Sequence, residues 1–137
     1  MKRATGIGGI FFKTKDPKAM KAWYNRHLGV PIPNPYSGLF EWREKDNPNR
    51  VGYTVWSPFD KDTDYFGEGE QTFMINYRVE NLAELLEVLK QEGIKVVKEM
   101  EEHEYGKFAW IQDPEGNRIE LWEPIDEGFQ KINNLEE

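Results

Sequence analysis

The sequence of 137 residues predicts a single α+β domain built from two tandem βαβββ modules. One observation is that the same order of strand-like and helix-like segments occurs twice along the chain. A second is an internal repeat at an offset of about 65 residues. In that repeat, Leu28-Gly29-Val30 aligns with Glu92-Gly93-Ile94, and Val55-Trp56-Ser57-Pro58 aligns with Leu121-Trp122-Glu123-Pro124.

The first module spans about residues 5–58. Alternating apolar residues over 6–14 predict a strand, and a helix is expected over 17–28. A series of prolines then enforces irregular chain. Strands follow over 38–43 and 51–57, joined by a turn rich in Asn, Asp and Pro.

The helix of the first module has clear end signals. Asp16 is a suitable N-cap, Pro17 suits the first helical position, and Gly29 can end the helix. Its apolar residues recur at three-and-four spacing, which predicts a stripe buried against the sheet. The stripe consists of Met20, Trp23, Tyr24, His27 and Leu28.

The second module spans about residues 71–124. Its helix begins with the capping box Asn81-x-x-Glu84, carries a leucine stripe and ends at Gly93. After it, a polar tail runs over residues 125–137, with either one short helix or a frayed end. The predicted strands are 72–79, 94–100, 106–112 and 118–122, around a helix over 81–92, and the leucines of the stripe are Leu82, Leu85, Leu86 and Leu89.

The composition excludes several classes of protein. The chain has no cysteine, so disulfide scaffolds, thiolate metal sites and cysteine nucleophiles are ruled out. A net charge of −7 disfavours a nucleic-acid surface, and no apolar run approaches the ~20 residues of a membrane span. Aromatic residues make up 14%, too many for a disordered chain. We therefore expect a soluble, cytoplasmic protein that binds neither nucleic acid nor a membrane.

Two motifs resemble the vicinal oxygen chelate superfamily, the group of glyoxalases, bleomycin-resistance proteins and extradiol dioxygenases. In the first, Asp16-Pro17 opens a helix that carries Trp23-Tyr24 and closes with His27-Leu28-Gly29. The second is the more specific stretch Asp113-Pro114-Glu115-Gly116-Asn117-Arg118-Ile119-Glu120-Leu121-Trp122. The resemblance covers about residues 5–124. It implies a curved mixed sheet around a cleft, with the helices outside, and a homodimer.

The resemblance also implies four strand positions that bind a divalent metal, typically through His, Gln or Glu. Here these positions hold Gly9, Thr54 or its neighbour, Met74 and Glu120. Only Glu120 is a ligand of the expected type, because divalent metals prefer oxygen and imidazole donors. We therefore expect no metal site and no other cofactor; a bound divalent metal is disfavoured.

Strand alternation sorts the side chains around Glu120. If Glu120 faces the cleft, so do its second neighbours, and the same rule extends to the other strands. The cleft then combines aromatic walls with a few polar groups, as small-molecule sites do. The predicted ligand-binding residues are Phe11, Lys13, Trp42, Thr54, Trp56, Phe66, Met74, Asn76, Arg78, Tyr105, Phe108 and Trp122, and Glu120 is the candidate catalytic residue.

Three functions remain open. The first is metal-independent binding of a small aromatic or planar molecule, favoured by an aromatic cleft without its metal ligands. The second is a glyoxalase-like lyase or isomerase, or a dioxygenase, with Glu120 as metal ligand or as general base and Arg78 or Lys13 stabilising an oxyanion. The third is a non-catalytic interaction module whose cleft is filled by its own side chains.

Overall fold

The computed structural model describes residues 2–132, and the predicted α+β class is confirmed. The last five residues of the predicted tail lie outside this range. In chain order the elements are β1 (Ala4–Thr14), α1 (Pro17–Leu28), β2 (Gly38–Arg43), β3 (Val51–Asp60), β4 (Phe73–Val79), α2 (Leu82–Gln91), β5 (Val96–His103), β6 (Gly106–Gln112), β7 (Arg118–Pro124) and α3 (Asp126–Ile132).

The strands within residues 2–132 form one mixed sheet of seven, in the order β2-β3-β1-β4-β7-β6-β5. Its centre is the antiparallel pair β1 and β4, the first strand of each half of the chain. On either side, the last strand of each half runs parallel to the first: β3 beside β1 and β7 beside β4. The internal repeat of the sequence therefore appears in the strand pairing.

The first half has one strand fewer than the βαβββ pattern predicts, within the described residues. After α2 the chain enters β5, but after α1 no strand precedes β2. The intervening segment contains Pro31, Pro33 and Pro35. Proline has no backbone N–H to donate to a neighbouring strand, so this stretch cannot form a regular ladder.

Helix α2 follows its sequence signals closely. The Asn81 side chain accepts a hydrogen bond from the Glu84 N–H at 3.2 Å, as an N-cap does. The predicted leucine stripe is buried and packs on Val79, Ala109 and Leu121 of the sheet. This cluster is the main apolar core on the helix-bearing face of the sheet.

The prediction of a buried stripe on α1 is wrong, although both ends of the helix match. Asp16 caps it by accepting a hydrogen bond from Ala19 N–H at 3.0 Å, and Gly29 ends it with φ of +67°. None of its residues is buried: Trp23 is 52% exposed and Leu28 66%. Trp23 packs on Tyr24 and His27 of the same helix, and Tyr24 in turn contacts Trp56 of β3 at 4.9 Å, so the stripe touches the sheet without being buried by it.

None of the helices in the described part of the chain has the length and apolar character that crossing a membrane requires.

Candidate functional site

A cavity of about 280 Å³ lies on the face of the sheet opposite α1 and α2. On β7 the alternation is plain: Leu121 points into the leucine core under α2, whereas Glu120 and Trp122 line the cavity. The lining is dominated by aromatic rings. They belong to Phe11, Tyr36, Phe59, Tyr65, Tyr105, Phe108, Trp110, Trp122 and Phe129.

Parallel rings on β6 and β7 form one wall of the cavity. Phe108 and Trp122 are direct partners in the antiparallel ladder, and their rings stack at 5.8 Å with planes 8° apart. Phe108 also stacks with Trp110, at 6.5 Å and 20°. On another part of the lining Phe59 and Tyr65 stack at 5.5 Å and 7°. Such surfaces suit flat apolar molecules, which gain offset-stacked contacts as well as burial.

Glu120 is the central polar group of the cavity, with only 2% of its surface exposed. The Asn76 amide donates to its Oε1 at 2.6 Å. The Trp110 indole donates to its Oε2 at 2.9 Å, and the Tyr65 hydroxyl donates to the same oxygen. Sheet register explains the first two contacts, because Asn76 on β4 and Trp110 on β6 both pair directly with Glu120.

The surroundings of Glu120 change its acidity. Burial raises the pKa of Glu120 above its ordinary value, and the hydrogen bonds from Tyr65, Asn76 and Trp110 partly offset that rise. Burial and the neighbouring carboxylate raise the pKa of Tyr65, which therefore stays protonated as a donor. A carboxyl group whose pKa lies closer to neutral pH is better suited to give or take a proton than an exposed one.

The segment between β3 and β4 brings Tyr65 to Glu120. In the structure its Phe66 is 1% exposed, packed in a cluster with Phe11 and Trp110. With Phe66 as anchor, Tyr65 reaches the interior of the cavity, so the segment supplies part of the lining.

Several predicted site residues come together as expected. Asn76 and Glu120 lie side by side, and the rings of the wall are their neighbours. Alternation along β4 and β7 therefore gave the correct faces. The predicted residues that line the cavity are Phe11, Asn76, Tyr105, Phe108, Glu120 and Trp122.

The facing predicted for Thr54 and Trp56 is reversed. The Trp56 ring packs against Tyr24 of α1 at 4.9 Å, on the helix side of the sheet. Thr54 accepts a hydrogen bond from the Trp42 indole at 2.8 Å and donates to a backbone carbonyl of β1. The cavity is lined instead by Val55 and Ser57, because Ser57 is the ladder partner of the cavity residue Phe11.

Three other predicted residues support the cavity without lining it. Met74 is fully buried and belongs to the same cluster as Phe66, next to the lining. The Lys13 ammonium lies 5.7 Å from the centre of the Phe66 ring, outside the cavity. These side chains lie behind the residues that line the cavity, so they would not contact a ligand bound in it.

Arg78 and Trp42 also lie beside the cavity and not in its lining. The Arg78 guanidinium is sandwiched between the rings of Trp42 and Trp122, at 5.4 Å and 5.2 Å. With 1% of its surface exposed, it backs the Trp122 wall and does not face the interior. The predicted role of Arg78 in stabilising an oxyanion is therefore not supported by its position.

Sequence reasoning missed Tyr65 and Trp110, two of the three donors to Glu120. The position of Trp110 could have been predicted from the hairpin of β6 and β7. If Gln112 and Arg118 pair on either side of the turn, Trp110 pairs with Glu120 two residues further along. Tyr65 offered only an aromatic pair, Tyr65-Phe66, inside an otherwise charged loop. That pair indicates burial but not which group it reaches.

The residues at the four positions expected to bind a metal do not fit a divalent ion. Gly9 offers no side chain, Met74 is a buried thioether, and Thr54 is hydrogen-bonded away from the cavity. No cluster of three or more His, Cys, Asp or Glu residues occurs in the part of the chain that the structure describes. Moreover, N–H and O–H donors surround the one carboxylate, whereas a metal needs further acceptors there.

Solved structures share this fold at low sequence identity. Methylmalonyl-CoA epimerase from Mycobacterium tuberculosis is 21% identical, with a TM-score of 0.60, over 90% of this chain and 91% of that one. A variant of the Streptomyces coelicolor enzyme of the same name is 13% identical, with a TM-score of 0.68, over 89% and 99%. The Mn(II)-bound glyoxalase from Novosphingobium aromaticivorans is 17% identical, with a TM-score of 0.57, over 90% of this chain but 40% of its own.

Among curated proteins, none matches the sequence. The family model described as Glyoxalase/Bleomycin resistance protein/Dioxygenase superfamily matches residues 6–121, which is most of the chain. This match includes the cavity residues Asn76 of β4, Phe108 and Trp110 of β6, and Glu120 of β7. The chain therefore belongs to the Glyoxalase/Bleomycin resistance protein/Dioxygenase superfamily.

Proposed function

We propose that the protein binds a small aromatic or planar organic molecule in the ring-lined cavity, without a divalent metal. The observation that carries this proposal is the wall of parallel rings on β6 and β7, beside a single buried carboxyl group. Small-molecule sites are concave and mostly apolar, with few polar groups that orient the ligand. A cavity of about 280 Å³ is at the small end of such sites, which favours a ligand of one or two rings.

Tryptophan fluorescence tests the proposal, because Trp110 and Trp122 line the cavity. We expect one-ring and two-ring compounds, such as 2-naphthol, to change the emission with a saturable dependence on concentration. The variant Ser57→Phe places a ring in the cavity and should abolish binding, while Ser57→Ala should retain it. If no ring compound of any charge binds at millimolar concentration, the proposal fails, and an interaction module with a filled cleft becomes the better explanation.

A second candidate is an enzyme that uses Glu120 as a general acid or base. The observation in its favour is a buried carboxyl with a raised pKa at the inner end of a cavity, next to the Tyr65 hydroxyl. Two of the similar structures are methylmalonyl-CoA epimerases. An enzyme that uses Glu120 as a metal ligand has weaker support, because the surrounding residues do not supply the other metal ligands.

Isotope exchange separates this candidate from simple binding. The protein is incubated with methylmalonyl-CoA in D2O, and deuterium at the carbon between the carbonyl groups is followed by NMR. Exchange that is lost in Glu120→Gln and kept in the exposed-site variant Glu99→Gln would favour the enzyme. With binding alone, we expect no exchange above that of a solution without protein.

The predictions of a homodimer and of a cytoplasmic location stay predictions. The exposed apolar side chains of α1, Trp23 and Leu28, are of the kind that a second copy covers in an oligomer. Sedimentation equilibrium of the full chain measures whether a dimer forms.

A further inference from the structure

We propose that the ligand is a flat organic cation with N–H donors, such as an amidinium or an N-protonated heteroaromatic ring, whose charge pairs with Glu120. This inference rests on the proposed binding function and specifies the charge and polarity of the ligand. Four features of the cavity support it: the missing counter-ion of Glu120, an unused acceptor beside it, the absence of cationic lining, and the aromatic walls.

The carboxyl of Glu120 has hydrogen bonds but no counter-ion. No salt bridge links it to any residue in the described range, although it is 2% exposed. Burying a carboxylate without a positive partner is unfavourable. Its Oε2 accepts from two donors, Tyr65 and Trp110, whereas Oε1 accepts only from Asn76. Each carboxylate oxygen can accept two hydrogen bonds, so one acceptor position is free at Oε1.

A second acceptor lies beside it. Asn76 is 1% exposed and lines the cavity, and its Oδ1 has no hydrogen-bond partner among residues 2–132. A buried carbonyl oxygen without a partner is uncommon in proteins and costs free energy. This oxygen is covered by the surrounding protein and lies beside Gly8, where a Cβ would come within 2.2 Å of it. Because the Asn76 amide is hydrogen-bonded to Glu120 at 2.6 Å, the two vacant acceptors belong to neighbouring groups, and together they match a ligand group that carries two N–H donors.

The remaining charges of the cavity do not suit an anion. Across the described residues, neither lysine nor arginine belongs to its lining. Apart from tyrosine hydroxyls, the other ionisable groups of the described lining are Glu101 and His103, and Glu101 forms salt bridges with Lys98 at 2.9 Å and with His103 at 3.2 Å. An anionic ligand would therefore meet Glu120 with no lysine or arginine in the described lining to offset the repulsion.

The aromatic walls are compatible with a planar cation. The faces of tryptophan, tyrosine and phenylalanine attract cations through the ring quadrupole. The chain already holds one planar cation in this way, because the Arg78 guanidinium lies 5.2 Å from the Trp122 ring and 5.4 Å from the Trp42 ring. A ligand with an aromatic ring and an amidinium group would use the walls and the carboxyl together.

Three probes of the same size test the inference on the full chain: benzamidinium, benzamide and benzoate. They differ in charge and in donors but not in shape, so isothermal titration measures the preference directly. We expect benzamidinium to bind about tenfold or more tightly than benzamide, and benzoate to bind weakest. Glu120→Gln should remove most of this preference while changing benzamide affinity less than about threefold. Glu99→Gln removes the same charge from an exposed strand position and should leave all three affinities unchanged.

The outcomes separate this inference from the proposed function. If benzamide or benzoate binds as tightly as benzamidinium, the cation preference is refuted while aromatic binding stands. The same holds if Glu120→Gln and Glu99→Gln weaken benzamidinium binding equally, because the charge would then act only at long range. If none of the three probes binds and the larger ring compounds do not bind either, the proposed function fails together with the inference. The comparison of probes on the unchanged protein does not depend on the folding of any variant.

Discussion

Removal of the Tyr65 hydroxyl by Tyr65→Phe tests whether the structure describes Glu120 correctly. The phenylalanine ring can keep the stacking on Phe59, so the main change is the loss of one donor to the carboxyl. A hydrogen bond to a charged group contributes about 1.5–3 kcal/mol to stability, and one between neutral groups about 0.5–1.5 kcal/mol. We therefore expect Tyr65→Phe to lower the free energy of unfolding by about 2 kcal/mol when Glu120 is ionised, and by about 1 kcal/mol when it is protonated.

The loss should depend on pH in a defined direction. Burial raises the pKa of Glu120 in the folded protein, so the folded state binds this proton more tightly than the unfolded chain. The contribution of Glu120 to stability is therefore greatest below its ordinary pKa and decreases as the pH rises through the raised value. Because the Tyr65 hydrogen bond lowers the pKa of Glu120, its removal strengthens this trend. The destabilisation caused by Tyr65→Phe should thus be larger at alkaline than at acidic pH.

Urea unfolding of both proteins across a pH series, followed by fluorescence, measures this difference. The matched control is Tyr36→Phe, which removes a hydroxyl from a side chain that is 77% exposed and should have little effect at any pH. A destabilisation that is constant with pH, or larger at acidic pH, would refute the assignment of an ionisable Glu120 held by the Tyr65 hydroxyl.

Further predictions concern the fold that supports the cavity. Leu82→Ala, at a residue with 0% exposure, should lower the free energy of unfolding by about 2–5 kcal/mol, whereas Leu28→Ala, at 66% exposure, should change it by less than about 0.5 kcal/mol; chemical denaturation compares the two. Gly8→Ala should destabilise by about 1–3 kcal/mol, because its Cβ would lie 2.2 Å from Asn76 Oδ1 and 3.0 Å from the Trp122 ring; thermal melting that matches the unchanged protein would contradict this close approach. Asn81→Ala should lower stability by about 1 kcal/mol through loss of the α2 cap, which denaturation measures, and Asn81→Asp should restore most of it.

Local signals in the sequence were sufficient for the helices and for most strands. Caps and glycines give the ends of α1 and α2 because these residues act on backbone groups within one turn. The burial of α1 was not predictable in the same way. Three-and-four spacing shows that apolar residues share one side of a helix, but not whether the sheet comes close enough to cover that side. Trp23 is therefore on the expected stripe and still half exposed.

Alternation succeeded on β4 and β7 and failed on β3 for a physical reason. On β4 and β7, alternate side chains point to opposite faces of the sheet, and only one of the two faces places the Glu120 carboxyl beside the Asn76 amide. These polar residues therefore identify the face that lines the cavity. On β3, apolar or aromatic residues occur at both parities, and the repeat aligned Trp56 with Trp122. In the structure Trp56 packs on α1 while Trp122 lines the cavity. When both faces of a strand are covered, its sequence shows no alternation that tells one face from the other. Only the register of β3 with β1 shows which of its residues face the cavity.

The arrangement around Glu120 explains why a single retained carboxyl is consistent with a changed role. A metal site of the type that the family resemblance implies gathers several acceptors around one cation. Here an amide, an indole and a phenol, from β4, β6 and the segment between β3 and β4, direct donors at one carboxyl. Such a shell of hydrogen-bond donors stabilises a negative charge on the carboxyl. The carboxyl accepts hydrogen bonds but has no salt-bridge partner among the described residues, and its free acceptor position at Oε1 is where we propose that the positive group of the ligand binds.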